Sequence, residues 1–393
     1  MGNYPSRTFS IELILASYLG LASLTTASGY YVSHLLNATI LLLITYTLIS
    51  RNQIVLKKEF GAYCVILTLL VLAGVASSAN GYGSFNVVKY ITYFTPVVLI
   101  LYLSNYKFNF HILIKYWFII GCFTSFLITT FLADFNPRIN KFYATIPGFE
   151  LSSNGLSLHL ITSVVLPGLL LLKSRVLILI LLAVPLIHFS KAHLVFYFLS
   201  LALSFVIWRK KIILAFILIF VVMLIFTLIG ANYDYLSGII PPAYERSFGK
   251  ILLSAKLFYG FFTENSQIGV IQFISSVGDP TRAFIYERAI GNLLTAFPFG
   301  ASKLQVESIF LSYDYHNMPL YFYFETGVFG LLFYLFCSLY PIKIKLPGLI
   351  RFVVVFSCFY IFFRGLFMSV DPVRTFIIFS VLLFYGFSFK KSF

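Results

Sequence analysis

The sequence predicts an all-α polytopic membrane protein, a single integral membrane domain over residues 1–393, on three observations. Hydrophobic residues fill 60% of the 393 positions and charged residues 10%, with a mean hydropathy of +0.94. A water-soluble domain needs far more polar surface. The apolar runs are about 20 residues long, the length of a membrane-crossing helix and about twice that of a barrel strand. The net charge is +15, and most basic residues fall in short connectors between apolar runs. That pattern is an orientation signal and not a nucleic-acid surface.

In chain order, about 12 runs reach membrane length: residues 9–28, 31–49, 60–79, 87–105, 112–132, 155–172, 176–190, 193–208, 212–230, 318–340, 349–368 and 375–388. The runs at 176–190 and 193–208 are short enough to form one broken hairpin. The first run lacks a small-residue cleavage site and is soon followed by another, so it is expected to stay as a span. Cys64, Cys122, Cys337 and Cys358 lie inside apolar runs without CxxC spacing, as small core hydrophobes do.

Alternate connectors carry Arg51, Lys57 and Lys58; Lys107; Lys173 and Arg175; Arg209, Lys210 and Lys211; then Lys343, Lys345 and Arg351. Arg7, Lys390 and Lys391 share their parity. Both termini are therefore expected in the cytoplasm. The opposite connectors are 133–154, the bend near 191, the segment 231–317 and the bend 369–374. Residues 231–317, between the ninth and tenth spans, are too long for a structureless loop. Pro241, Pro242, Pro280 and Pro298 punctuate them, and their apolar stretches predict a lid-like layer of short helices on the outer face.

Positive charge on that face runs against the topology bias and needs a reason. Many loop charges will simply pair or stay solvated. Lys191 stands between two spans, and Arg364 lies within an apolar run, facing either an interior cavity or snorkelling to the interface. Arg374 follows Asp371 and Pro372, with Asp371 as a ready partner. Arg282 and Arg288, six apart on a helix, point roughly 120° from each other, and the planar fork of arginine suits a diphosphate. His316 precedes Asn317 at the mouth of a long apolar helix. Its ring can take a proton from a sugar hydroxyl near neutral pH, or simply pack against headgroups. Glu325 is about 13 Å further along that helix and on its far side, as a structural partner would be. The other histidines form no HxxxH pair, and no carboxylate cluster suits a metal, so neither metal nor cofactor is expected.

These residues resemble the O-antigen polymerase and ligase superfamily, which includes the Wzy-type repeat-unit polymerases. The resemblance is clearest in residues 282–330. There an arginine-bearing helix (Arg282, Arg288) is followed by the turn Phe297-Pro298-Phe299-Gly300, by His316-Asn317, and by Glu325-Thr326-Gly327-Val328-Phe329-Gly330. Weaker matches are Arg138 to Asn154 and Ser190-Lys191, the latter with lysine where the family has arginine. The resemblance implies a metal-independent, inverting glycosyltransferase in the bacterial inner membrane, with its active site on the periplasmic side. Donor and acceptor would be undecaprenyl-diphosphate-linked glycans, and a chain-length regulator would be a plausible partner. His316 would activate the acceptor hydroxyl. Arg282 and Arg288, helped by Lys191, Arg138, Arg364 and Arg374, would hold the departing diphosphate, with Asn154 and Asn317 as polar contacts. An O-antigen ligase shares donor and motif. A lipid-linked glycan flippase or transporter would instead place its site near mid-membrane, at repeats.

Overall fold

The computed structural model describes residues 8–27, 31–49, 108–136, 141–146, 149–151, 153–171, 174–184, 191–209, 212–240, 280–310, 317–343 and 348–367. It also describes scattered positions at 61–105, 252–260, 346 and 377–385. Helix dominates. The first half holds α1 (Thr8–Ala27), α2 (Tyr31–Ile49) and α3 (Phe110–Leu127), which runs on as a π-helical turn to Leu132. Then come α4 (Ser153–Leu160), a π-helical segment Ile161–Val165, α5 (Leu166–Leu171) and α6 (Arg175–Ala183). The second half holds α7 (Lys191–Arg209), α8 (Ile212–Ala231), α9 (Tyr233–Ile239), α10 (Pro280–Gly291), α11 (Lys303–Phe310), α12 (Met318–Lys343) and α13 (Gly348–Phe367).

Three helical stretches among the described residues are long and apolar enough to cross a membrane: Phe110–Phe131, Met318–Leu335 and Gly348–Gly365. Helix α8 turns Ile213, Phe220, Ile225 and Leu228 outward, the arrangement expected where the surrounding solvent is lipid. Close approach of small residues holds α1, α3 and the π segment together. A side chain at Gly20 would meet Ile120, and one at Gly121 would overlap the Ser163 carbonyl. Buried Glu12 of α1 accepts the Asn109 N–H at 3.0 Å, and Asn109 in turn caps α3 by accepting from the Ile112 N–H. A buried carboxylate needs such a bond to offset its desolvation.

The helical expectation holds for most of the described residues, with two local departures. Residues 133–151 form a three-stranded antiparallel sheet, β1 (Ala133–Asn136), β2 (Lys141–Ile146) and β3 (Phe149–Leu151). The register pairs Asp134 with Tyr143 and Thr145 with Glu150. Lys-Phe-Tyr-Ala-Thr-Ile is rich in aromatic and β-branched residues, which suit a strand. The second departure concerns the apolar run at 318–340, which is not one rod. Helix α12 breaks at Thr326 (φ −135°, ψ 15°) and Gly327 (φ 66°, ψ −148°). Phe322 packs against both Phe333 and Tyr334, at 6.2 and 6.1 Å between ring centroids. Residues so far apart on a straight helix would be separated by roughly 17 Å, so residues 318–325 double back on the second half. Gly330 lies at the fold, where a side chain would overlap the Phe322 carbonyl.

Of the expected layer of short helices in 231–317, α9, α10, a 3-10 turn at Leu293–Ala296 and α11 are present. Helices α10 and α11, the 3-10 turn and Phe324 of α12 form a small core around Ile285, Ala289, Ala296 and Phe310, distinct from that of the main bundle. One loop charge pairs as expected: Lys256 lies 3.5 Å from Asp234 and over the Tyr233 ring.

Candidate functional site

The turn 297–301 and the break in α12 are one interlocked piece. Breaking a helix frees backbone groups that a bilayer cannot hydrate, and the turn supplies their partners. The Val328 N–H donates to the Pro298 carbonyl at 3.0 Å, and the Ala301 N–H donates to the Phe324 carbonyl at 2.8 Å. Within the turn, the Gly300 N–H donates to the Ala296 carbonyl at 2.8 Å. The Phe297–Pro298 peptide is cis. Phe299 stacks on Phe329, with centroids 6.2 Å apart.

Glycine is required at both contact points. Gly327 has a conformation that L residues avoid, and a Cβ there would overlap the Pro298 carbonyl oxygen. Gly300 has φ 103°, and its Cβ would lie 2.6 Å from the Glu325 carbonyl oxygen. The two segments that carry the family resemblance are thus joined backbone to backbone.

Arg288 is half-buried on α10 and braces this piece. Its Nη1 donates to the Ser308 and Ile309 carbonyls at 3.1 and 3.2 Å, the last turn of α11, where a cation also meets the negative end of the helix. The guanidinium lies 4.8 Å from the Phe284 ring centroid. Arg288 therefore fixes where the chain leaves α11 on its way to residues 311–316. Phe310 then packs edge-on against Phe324 at 5.0 Å. Asn317 is the N-cap of α12: its Oδ1 accepts the Leu320 N–H at 3.0 Å. Glu325 ends the first half of α12 and is half-buried.

Lys191 and Arg364 share one end of the bundle. Tyr197 of α7 packs on Phe356 and Tyr360 of α13 at 5.4 and 6.4 Å, while Trp208, further along α7, meets Phe352 at 5.7 Å. The helices therefore run antiparallel, which sets Lys191, the first residue of α7, beside the last turn of α13, which carries Arg364. Arg364 is buried at 5% exposure, so it faces the interior and does not snorkel. The second half of α12 also packs antiparallel to α13, with the Tyr334 hydroxyl donating to the Phe362 carbonyl at 2.9 Å. The break in α12 lies about 10 Å beyond Tyr334, toward the same end.

The remaining sequence candidates are placed less fully. Arg282 is on α10 with Arg288, and Asn154 opens α4 directly after the sheet. His316, Arg138 and Arg374 lie outside the described residues. Among the described residues, no three His, Cys, Asp or Glu side chains gather as metal ligands would.

Sequence reasoning passes over His159, which the fold buries at 1% exposure. Its Nε2 lies 3.1 Å from the Thr124 hydroxyl and its Nδ1 lies 3.3 Å from the Ser163 hydroxyl. Thr124 also reaches the Ile120 carbonyl at 2.8 Å, and Ser163 reaches the Leu19 carbonyl at 3.2 Å. A neutral imidazole donates to one of these hydroxyls and accepts from the other, and the hydroxyl that donates to the ring releases its carbonyl, since each carries a single proton. The cluster thus ties α1, α3 and α4 together. The available signal was Ser163 four residues after His159, on one helix face.

Compared with protein-family models, curated proteins and solved structures, the chain matches none of them.

Proposed function

We propose that this protein is a polysaccharide repeat-unit polymerase, a glycosyltransferase that extends undecaprenyl-diphosphate-linked glycans at the periplasmic face of the bacterial inner membrane. In the full reading, about 12 spans hold both termini in the cytoplasm and residues 231–317 on the outer side. The supporting observation is the interlock of turn 297–301 with the α12 break, at the bundle end that also holds Lys191 and Arg364. It joins the two stretches most like the O-antigen polymerase superfamily, and Asn317, the neighbour of His316, caps the helix that contains the break.

In this mechanism the acceptor hydroxyl attacks the anomeric carbon of the donor as His316 takes its proton. The new glycosidic C–O bond forms as the bond to the diphosphate breaks. Lys191 and Arg364 offset the charge that develops on the leaving diphosphate, with Arg282, Arg138 and Arg374 as further cations. A low-dielectric site strengthens such fixed charges, which removes the need for a metal. Arg288 serves first as the brace of α11, and Asn317 as the cap of the helix that His316 precedes.

The test is a lipopolysaccharide gel of a deletion strain complemented with wild type, His316→Ala or Arg288→Ala at matched membrane expression. A polymerase predicts a single core-plus-one-repeat band from the deletion and both variants. Bare core from the deletion would replace this reading with ligase or flippase. A full ladder from His316→Ala would remove that residue from the chemistry.

A further inference from the structure

We infer that residues 289–300 form a wedge seated in the hydrocarbon of the bilayer, although they lie within the long segment 231–317 that hydropathy assigns to water. Three independent observations carry this.

The first is the outward surface. Ile290, Leu294, Phe297 and Phe299 are 57%, 88%, 63% and 46% exposed. The stack of Phe299 on Phe329 makes this patch continuous with the outer face of α12, where Leu332 is 52% exposed. Contiguous apolar surface of this kind marks an interaction site, and its continuation is the apolar second half of α12.

The second is the fate of the polar groups. Asn292 Nδ2 donates to the Arg288 carbonyl at 2.8 Å, and the Thr295 hydroxyl donates to the Asn292 carbonyl at 2.7 Å. The Tyr323 hydroxyl donates to the Leu293 carbonyl at 2.8 Å. Thr295 is exposed and Asn292 half-buried, and both side chains fold onto their own backbone, a pairing that lipid requires and water permits.

The third is the sequence. No Asp, Glu, Lys or Arg occurs between Arg288 and Lys303, so charge brackets the run and never enters it. The occupant of the patch is therefore the acyl chains of the bilayer. This inference rests on the membrane reading of the helices and is independent of the proposed chemistry.

The experiment uses the full chain in proteoliposomes. Leu294→Trp and Phe297→Trp each add a fluorophore at an exposed position, and Asp234→Trp, 91% exposed, is the aqueous control. Emission gained over wild type is followed with brominated acyl chains and with acrylamide. The wedge predicts that brominated lipid removes most of the gained emission at 294 and 297 while acrylamide removes little, with the reverse at 234. Quenching at 294 and 297 by acrylamide without brominated lipid would place the turn in water and overturn the inference. Protection from both quenchers would mean that protein covers the patch, and would overturn it equally.

Discussion

Replacing Gly327 by alanine should unseat the turn 297–301 from the broken helix. The Gly327 conformation (φ 66°, ψ −148°) belongs to a region essentially reserved for glycine and costs a residue with a Cβ about 1–3 kcal/mol. The added carbon would also overlap the Pro298 carbonyl. Relieving that overlap opens the Val328–Pro298 and Ala301–Phe324 hydrogen bonds, each contributing about 0.5–1.5 kcal/mol. The sum is about 2–6 kcal/mol, a large part of the roughly 5–15 kcal/mol that holds a folded domain together. Gly348 provides the control. It also has a positive φ, 45°, but nothing lies within 4 Å of its would-be Cβ. Gly348→Ala should therefore cost only the local strain of about 1–2 kcal/mol. Thermal unfolding of the purified proteins in one detergent, followed by near-ultraviolet circular dichroism, ranks them. Gly327→Ala should melt well below Gly348→Ala. Equal melting temperatures would refute the claim that the contact, and not backbone conformation alone, holds the two motifs together.

Three further outcomes follow from the same geometry. Asn317→Ala removes the cap of α12 and should cost about 0.5–2 kcal/mol, with most of it regained in Asn317→Asp; a melting curve distinguishes the two. Arg288→Ala should loosen α11 by about 1.5–3 kcal/mol, the worth of hydrogen bonds from a charged group, and should speed proteolysis within residues 303–317; unchanged proteolysis would sever Arg288 from that helix. Gly121→Leu drives a side chain into the Ser163 carbonyl and should sharply reduce folded protein in the membrane by size-exclusion profile, whereas the same change at Gly238, with open space around it, should not.

The apolar helices were legible because run length alone specifies them. The expected runs at 9–28, 31–49 and 349–368 correspond to Thr8–Ala27, Tyr31–Ile49 and Gly348–Phe367. The sheet was not, since strands of three to six residues are set by partners across a turn and leave little periodicity of their own. The break at Gly327 escaped hydropathy because one glycine barely changes the average of an apolar window. The motif around it was readable; its union with the turn 297–301 depends on bonds between residues 23 and 30 apart and had no local signature. Arg288 was read by residue type as an anion ligand. Its two carbonyl acceptors lie about 20 residues away and become visible only when α10 packs on α11.

The break also changes how α12 fits the thickness of a membrane. Residues 318–325 rise about 12 Å and residues 328–343 about 24 Å, against roughly 30 Å of hydrocarbon. Neither half matches that depth. A short span is normally accommodated by thinning of the bilayer or by tilting and snorkelling at its ends. One glycine thereby divides an apolar run of membrane length into two segments, each shorter than the hydrocarbon is deep, and the uncharged turn packs where they meet.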